Sequence, residues 1–231
     1  MIIGSGLLAQ AFEPDFGRSP TVCIYSAGVS NSACEDPAEF EREHERLAEA
    51  LQRTRDHEAF VYFGTCSVMD PEANHTPYVQ HKLRMEQCVA AHPRHLIMRL
   101  PQVVGRTPNP HTLLNFLYAR ISRSEAFRVW RHARRNIIDV RDVAAIGTQL
   151  IRHSDLRRAT VNVANSRSYT VTEIVAALEA AAGKSAVYEV VDRGSSYEID
   201  ITGIRPFFER AGVLFDGGYL QRIVNEYYGK Q

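Results

Sequence analysis

Short runs of β-branched and aromatic residues alternate along the chain with longer segments of helical periodicity. Short apolar runs predict buried strands, and the longer segments predict helices. This alternation is typical of a parallel sheet covered by helices. In the first part of the chain, the predicted strands are Met1–Ile3, Thr21–Tyr25, Ala59–Phe63 and His95–Leu100, and the predicted helices are Leu7–Phe12, Pro37–Arg53 and Tyr78–Ala91.

The segment Pro37–Arg53 has the clearest amphipathic pattern. Its apolar residues recur at helical intervals within a charged background, so one side of the helix is predicted to cover a sheet face. These apolar residues are Phe40, Leu47, Ala48 and Leu51.

Prolines mark the middle of the chain. Pro93 ends the third predicted helix, and Pro101, Pro108 and Pro110 predict a long loop after the fourth strand. Beyond this loop the periodicity predicts helices at His111–Ile121, Val140–Ile151, Val171–Ala182 and Tyr219–Tyr228, and strands at Thr160–Val163 and Ala186–Val191.

Composition narrows the class of protein. The 231 residues are 45% hydrophobic and 23% charged, enough to bury a globular core. The 27 basic side chains balance 27 acidic ones, so no overall field attracts nucleic acid or a membrane surface. With no apolar run long enough to span a membrane and no basic leader, the sequence predicts a cytoplasmic protein. Its four cysteines occur singly, which predicts free thiols and no metal site.

A glycine turn follows the first predicted strand. Gly4-Ser5-Gly6-Leu7-Leu8-Ala9 has the form Gly-x-Gly-x-x-Ala and opens a helix, so its backbone N–H groups can face a pyrophosphate. The alternative is a turn that only reverses the chain. The acidic residue expected about 20 positions further on is missing.

Tyr78 and Lys82 lie four residues apart in a predicted helix and therefore share one face. A nearby ammonium favours the phenolate form of tyrosine, which suits proton transfer. The same spacing also arises by chance on a solvated helix. The preceding strand end, Gly64-Thr65-Cys66-Ser67, favours a functional pair because ligands bind beyond the carboxyl ends of parallel strands.

Five ordered segments resemble the extended short-chain dehydrogenase/reductase family, which contains nucleotide-sugar epimerases, dehydratases and reductases. The Pro-Tyr-x-x-x-Lys-x-x-x-Glu segment is the most similar. The five segments are Ile24–Gly28, Gly64–Asp70, Pro77–Glu86, Arg99–Gly105 and Arg135–Ala144.

The resemblance implies an α/β fold with a Rossmann-like, doubly wound parallel sheet. Only about nine residues, Glu13–Thr21, join the first helix to the next strand. The second and third strands of the family sheet are therefore expected to be missing, which leaves Met1–Ile3 at an edge. Residues 1–105 would form an abbreviated dinucleotide-binding core, and residues 106–231 a small α/β substrate lobe interleaved with the end of the sheet.

The resemblance also implies a site for NAD or NADP, with weak binding because the adenine side lacks a strand. The implied catalytic residues are Thr65, Tyr78 and Lys82. The implied cofactor-binding residues are Gly4, Gly6, Leu7, Leu8, Ala27, Gly28, Lys82, Pro101 and Val103. The implied substrate-binding residues are Ser30, Asn31, Gln102, Asn115 and Arg135.

A basic cluster around Trp130, from Arg128 to Arg135, is either an anion site or a solvated loop. The resemblance implies a homodimeric enzyme that reduces or epimerises a nucleotide-linked keto sugar in polysaccharide or glycan synthesis. Cys66 and Ser67 occupy the places of the acids that the family's dehydratases use. Two alternatives stay open: a reductase of a small carbonyl compound, and a non-catalytic binding module of the same fold.

Overall fold

The computed structural model describes residues 1–153 and 158–229. The strands are β1 (Ile2–Ile3), β2 (Val22–Tyr25), β3 (Ala59–Thr65), β4 (His95–Leu100), β5 (Gln102–Val104), β6 (Phe127–Trp130), β7 (Arg134–Asp139), β8 (Ala159–Asn162), β9 (Ser168–Thr170) and β10 (Tyr188–Val191). The helices are α1 (Leu7–Phe16), α2 (Pro37–Arg53), α3 (Pro77–Ala90), α4 (Leu113–Arg123), α5 (Val140–Arg152), α6 (Val171–Ala182), α7 (Arg205–Ala211) and α8 (Tyr219–Tyr228). Two short 3₁₀ helices span Cys66–Met69 and Thr202–Ile204.

Five parallel strands form the central sheet in the order β1-β2-β3-β4-β8. Strands β2, β3 and β4 are buried along most of their length, as in a sheet covered on both faces. Alternate residues of β3 point to opposite faces: Val61 and Phe63 join one hydrophobic cluster, whereas Phe60 and Tyr62 join another. The carboxyl ends of β1 to β4 therefore meet at one edge, beside both helical layers.

Helices cover both faces of this sheet. One cluster joins the sheet to α1 through Phe12, to α5 through Ile146 and to α7 through Phe208. The opposite cluster joins it to α2 through Leu47 and to α3 through Met85. This layered arrangement confirms the expected α/β, Rossmann-like and doubly wound fold.

A second hydrophobic core lies in the carboxyl-terminal half. It joins α4, α6 and α8 with strands β6 and β7. Strands β5, β7 and β9 form one small sheet, and β6 pairs in parallel with β10. Elements α5, β8 and α7 return to the central sheet from beyond residue 105. The division into 1–105 and 106–231 stays a prediction; residues 154–157 and 230–231 of the second range lie outside the described part.

Several short elements were not predicted. Strands β5, β6, β7 and β9 and helix α7 are seven residues or fewer. Strand β7 begins with two arginines and an asparagine, so its sequence shows little apolar pattern before Ile137. Its first half is fixed instead by antiparallel pairing with β9.

Helix boundaries differ slightly from the predicted ones. Helix α3 begins one residue earlier than expected, because Thr76 caps it and Pro77 occupies the first helical position. Helix α1 continues past the predicted end to Phe16, with Pro14 inside it. Buried Phe12 and Phe16 anchor this longer helix against the sheet.

Among the described residues, β1 pairs only with β2, so it lies at one edge of the sheet. The outward faces of α2 and α3 are mainly polar, with exposed residues such as Glu45, Glu49 and Arg84. The homodimer stays a prediction.

Candidate active site

A cavity of about 810 Å³ lies where β1 to β4 end. Its volume falls within the range of about 300–1,000 Å³ that is usual for small-molecule sites. Most of the residues expected from the sequence to bind cofactor or substrate lie in its wall. They are Gly4, Gly6, Leu7, Leu8, Ala27, Gly28, Ser30, Asn31, Thr65, Tyr78, Lys82, Pro101, Gln102 and Val103.

The glycine turn forms one end of this wall. Gly4 has a φ of +126°, and a Cβ there would lie 2.7 Å from the Ser26 hydroxyl oxygen and 2.8 Å from the Ser26 backbone. Gly6 caps α1 without any side-chain hydrogen bond, and a Cβ on it would have no neighbour within 4 Å. The first N–H groups of α1 therefore have no capping side chain, which fits a phosphate group at this end.

The central wall carries the expected hydroxyls and amine. Thr65 is the last residue of β3, and its hydroxyl accepts a hydrogen bond of 3.1 Å from the Ser67 backbone N–H. Tyr78 and Lys82 lie one turn apart near the start of α3, where the Thr76 cap and Pro77 fix the helix. Both side chains are buried, with exposed fractions of 9% for Tyr78 and 4% for Lys82.

A buried carboxylate, Glu43 of α2, forms the centre of a polar cluster behind this wall. Lys82 Nζ donates to Glu43 Oε1 over 3.2 Å and to the Tyr62 hydroxyl over 3.1 Å. The Tyr62 hydroxyl itself donates to Glu43 Oε1 over 2.8 Å. Glu43 Oε2 accepts from the Val29 backbone N–H over 2.6 Å and lies 2.9 Å from His81 Nε2.

This cluster shifts the acidity of its members. Burial lowers the pKa of Lys82, and the negative charge of Glu43 opposes that effect. Burial raises the pKa of Tyr78; Glu43 raises it further, whereas the Thr65 hydroxyl lowers it. Burial favours the neutral form of Glu43 too, yet the hydrogen bond from His81 and the charge of Lys82 outweigh it and hold the pKa of Glu43 at about 2.

Sequence reasoning did not identify Glu43, Tyr62 or His81. A signal for Glu43 was present, because it lies with Phe40 and Leu47 on the apolar side of Pro37–Arg53. A carboxylate within such a stripe has to find partners once it is buried. Which partners it finds depends on the packing of α2 against α3.

Two expected substrate-binding residues, Asn115 and Arg135, lie outside the cavity lining. The Asn115 amide donates to the backbone oxygens of Thr107 and Asn109 over 3.0 and 2.7 Å and accepts a hydrogen bond from Tyr228. It therefore holds the loop after β5. Arg135 Nη1 donates to the neighbouring backbone oxygen of Arg134 over 2.9 Å.

The basic cluster around Trp130 has acidic neighbours. Arg128 lies 3.5 Å from Glu189, and Asp192 lies 3.4 Å from Arg131 and 3.0 Å from His132. All of these side chains are mostly exposed. Of the two interpretations left open by the sequence, this arrangement favours a solvated surface.

A sequence profile of the NAD dependent epimerase/dehydratase family matches residues 17–164. The chain belongs to this family. Its members are NAD-dependent enzymes, so an enzymatic cavity at the strand ends is consistent with the assignment. The span that matches the epimerase/dehydratase family contains Glu43, Thr65, Tyr78 and Lys82. It begins after the glycine turn.

Solved structures show the same fold. UDP-glucose 4-epimerase of Thermus thermophilus, in complex with NAD, is 18% identical, with a TM-score of 0.69 over 97% of this chain and 83% of that chain. UDP-glucuronic acid 4-epimerase of Bacillus cereus, with UDP-glucuronic acid and NAD, is 15% identical, with a TM-score of 0.74 over 97% and 77%. RMD of Pseudomonas aeruginosa, complexed with NADPH, is 17% identical, with a TM-score of 0.68 over 98% and 87%. No curated protein matches the sequence.

Within residues 1–153 and 158–229, no three His, Cys, Asp or Glu side chains are grouped so as to hold a metal ion. None of the helices in the same residues has the length and apolar character needed to cross a membrane. The four cysteines are free thiols, and Cys88 is the least buried of them.

Proposed function

We propose that this family member is an NAD(P)-dependent oxidoreductase that reduces a nucleotide-linked keto sugar or epimerises a nucleotide-linked sugar. The convergence of Thr65, Tyr78 and Lys82 in one cavity carries the proposal. A binding module has no need for a hydroxyl, a phenol and an ammonium in one wall. The family assignment supports an enzymatic function. The positions of these side chains in the cavity support the roles that we assign to them.

The cofactor half of the cavity suits a dinucleotide. The uncapped start of α1, at Gly6, offers backbone N–H groups to a pyrophosphate. Lys82 uses two of its three N–H donors on Glu43 and Tyr62, which leaves one for a ribose hydroxyl. Ala27, Gly28, Pro101 and Val103 are assigned to the nicotinamide side. When bound, the nicotinamide supplies or accepts the hydride.

Tyr78 is assigned the proton transfer. Because burial raises its pKa, the phenol keeps its proton at neutral pH and is ready to donate it to a carbonyl oxygen. Thr65 is assigned a hydrogen bond to the same oxygen. A protonated tyrosine suits reduction directly. Epimerisation would also require Tyr78 to accept a proton in its oxidative step.

The rest of the cavity favours an anionic substrate. Arg46, Arg106 and His111 line it, and no Asp or Glu is among its described lining residues. Such a wall suits phosphate groups better than a neutral carbonyl compound. Ser30, Asn31 and Gln102 are assigned to the sugar. Arg135 and Asn115 lie outside the lining, and their roles in substrate binding stay predictions without support from a contact.

Reduction or epimerisation is preferred to dehydration because the positions after Thr65 lack acids. Cys66 is buried and hydrogen-bonded to the Arg99 backbone oxygen over 3.3 Å, and Ser67 lines the cavity. Neither is a carboxylic acid able to assist the elimination of water. A cytoplasmic role in polysaccharide or glycan synthesis belongs to this same proposal.

Calorimetric titration with NADH and NADPH tests the proposal. Gly6→Ala places a methyl group in open space, so the free protein should fold normally while dinucleotide affinity falls at least tenfold. Gly217→Ala, at an exposed glycine that is equally open, is the matched control and should bind like the wild type. Well-folded protein that gives no heat with either dinucleotide would leave the binding module as the better explanation.

Turnover separates the two enzyme alternatives. UDP-linked and dTDP-linked keto sugars are compared with the same sugars lacking the nucleotide and with small aldehydes. The proposal expects turnover only when the diphosphate is present. If small carbonyl compounds are turned over as fast as the nucleotide-linked sugars, the protein is better explained as a reductase of small carbonyl compounds.

A further inference from the structure

We propose that Glu43 is a positioning residue that fixes Lys82 and offsets its positive charge, so that Tyr78 is set to donate a proton rather than to abstract one. The inference rests on the proposed function and specifies the direction in which the site works best. It assigns Glu43 a role that the sequence motifs do not contain. Three features of the structure carry it.

The first feature is the number of hydrogen-bonding groups around the Glu43 carboxylate. Glu43 is 3% exposed, and four different groups contact its two oxygens. A carboxylate has about four lone-pair positions, so this one has little freedom left. The four groups are the Val29 backbone N–H, the Tyr62 hydroxyl, His81 Nε2 and Lys82 Nζ.

The second feature is the way in which the cavity wall is closed over the ion pair. A Cβ at Gly28 would lie 2.6 Å from Lys82 Nζ and 2.7 Å from Glu43 Oε1. The glycine leaves room for both charged groups beside the loop after β2. Lys82 Nζ itself is held by Glu43 Oε1 and by the Tyr62 hydroxyl.

The third feature is the ring of His81. Its Nε2 atom lies 2.9 Å from Glu43 Oε2, and the ring stacks on Phe40 with a centroid distance of 4.5 Å and an angle of 17°. Among the described residues, His81 Nδ1 has no hydrogen-bond partner. The histidine thus supports the carboxylate from α3 and has no other polar contact in the described structure.

The charges around Tyr78 determine the consequence. On α3, Lys82 lies one turn away from Tyr78, and Glu43 of α2 faces Lys82. A second buried acid on α3, Glu86, is paired with Arg99 of β4 at 2.6 Å. The other titratable groups in the described cavity wall are Tyr25, Arg46, Tyr62, Arg106 and His111. The positive charge of Lys82 is matched by the Glu43 carboxylate, so this ammonium does not act unopposed on the phenolate.

Replacing Glu43 therefore tests the inference. In Glu43→Gln the carboxylate that raises the pKa of Tyr78 is gone, so Tyr78 should lose its proton at a pH at least about one unit lower than in the wild type. The titration is followed by NMR of ring-labelled tyrosine, with Tyr78→Phe to assign the signal. This readout requires neither cofactor nor substrate.

Two controls separate charge from structure. Tyr62→Phe removes a hydrogen bond from the same cluster but no charge, so the Tyr78 titration should not move. In the double variant Glu43→Gln/Lys82→Met both charges disappear, and Tyr78 should titrate as in the wild type. The double variant still tests the inference if Glu43→Gln alone does not fold. An upward shift in the double variant, or no shift in Glu43→Gln, would overturn the inference.

Kinetics then connect the cluster to the reaction. With a nucleotide-sugar substrate, the pH profile of kcat for alcohol oxidation should move to lower pH in Glu43→Gln, by the same amount as the NMR titration. Glu43→Asp keeps the charge and should keep the wild-type profile. If the wild type binds no cofactor, the proposed function is wrong. The NMR titration would then still decide whether Glu43 controls the protonation of Tyr78.

Discussion

The side chain of Tyr78 is buried in the cavity wall, one helical turn from a lysine whose charge is matched by Glu43. Burial and the Glu43 carboxylate both raise the pKa of Tyr78, and only the Thr65 hydroxyl is found to lower it. A phenol in this setting holds its proton at neutral pH. At the scale of single residues, the site is therefore prepared for proton donation.

Tyr78→Phe tests that assignment most directly. The variant lacks the proton but fills nearly the same volume, so folding and NADH affinity should be close to those of the wild type. Turnover of a keto-sugar substrate should fall about 10²- to 10⁴-fold, the usual contribution of a positioned acid. Steady-state kinetics with calorimetry of the same sample provides the measurement. Unchanged turnover would assign the proton transfer to another group.

At the scale of elements, the helices that carry the site begin at side-chain caps. Asp36 accepts from the Ala38 backbone N–H at the start of α2, and Thr76 caps α3. The start of α1 is different, because Gly6 provides no side-chain cap. Helices α2 and α3 are thus capped by their own chain, whereas α1 presents its N–H groups to the cavity.

The capping box of α6 allows a quantitative test of this contrast. The Thr170 hydroxyl accepts from the Glu173 N–H over 3.1 Å, and the Glu173 carboxylate accepts from the Thr170 N–H over 2.7 Å. Thr170→Ala should lower the free energy of unfolding by about 0.5–2 kcal/mol, because a helix N–H loses its acceptor. Urea denaturation measures the change, and Thr170→Ser, which retains the hydroxyl, should restore most of it.

For the whole molecule, the edge position of β1 bears on cofactor affinity. No described strand lies beyond β1 to cover the adenine side of the cavity. The adenosine half of NADH should therefore add little binding energy, and the dissociation constants of NADH and reduced nicotinamide mononucleotide should differ by less than about tenfold. Calorimetric titration with both ligands measures the ratio. A difference above a hundredfold would mean that Gln10, Arg46 or other lining residues form an adenosine pocket.

Acid stability is also a property of the whole fold. The folded-state pKa of Glu43 is about 2, below its ordinary value of 4.5. Its contribution is therefore present above about pH 4.5 and is lost as pH falls from there towards about 2, by an amount on the order of 3 kcal/mol.

Thermal unfolding between pH 5 and pH 3 measures this contribution. The melting temperature of the wild type should fall more steeply over this range than that of Glu43→Gln/Lys82→Met, which has neither charge. Parallel curves would show that Glu43 binds a proton at the same pH in the folded and unfolded chain.

The layered α/β fold and most of the cavity wall can be predicted from the sequence alone. Buried parallel strands are recognisable in the sequence as short apolar runs. The carboxyl ends of such strands lie at one edge of the sheet whatever their side chains, and this places Gly4, Ala27, Thr65 and Pro101 together. The helical spacing of Tyr78 and Lys82 likewise required no tertiary information. Strand ends and helix faces are local consequences of chain geometry, which is why a single sequence was sufficient to predict them.

The polar cluster behind that wall depends on tertiary packing. Glu43 and Lys82 lie 39 positions apart, and they meet because α2 and α3 pack side by side on the same sheet face. The exclusion of Asn115 from the cavity also depended on long-range contacts, since Tyr228 holds its amide. Burial and long-range pairing determine the charge that Tyr78 experiences, and neither can be read from local periodicity.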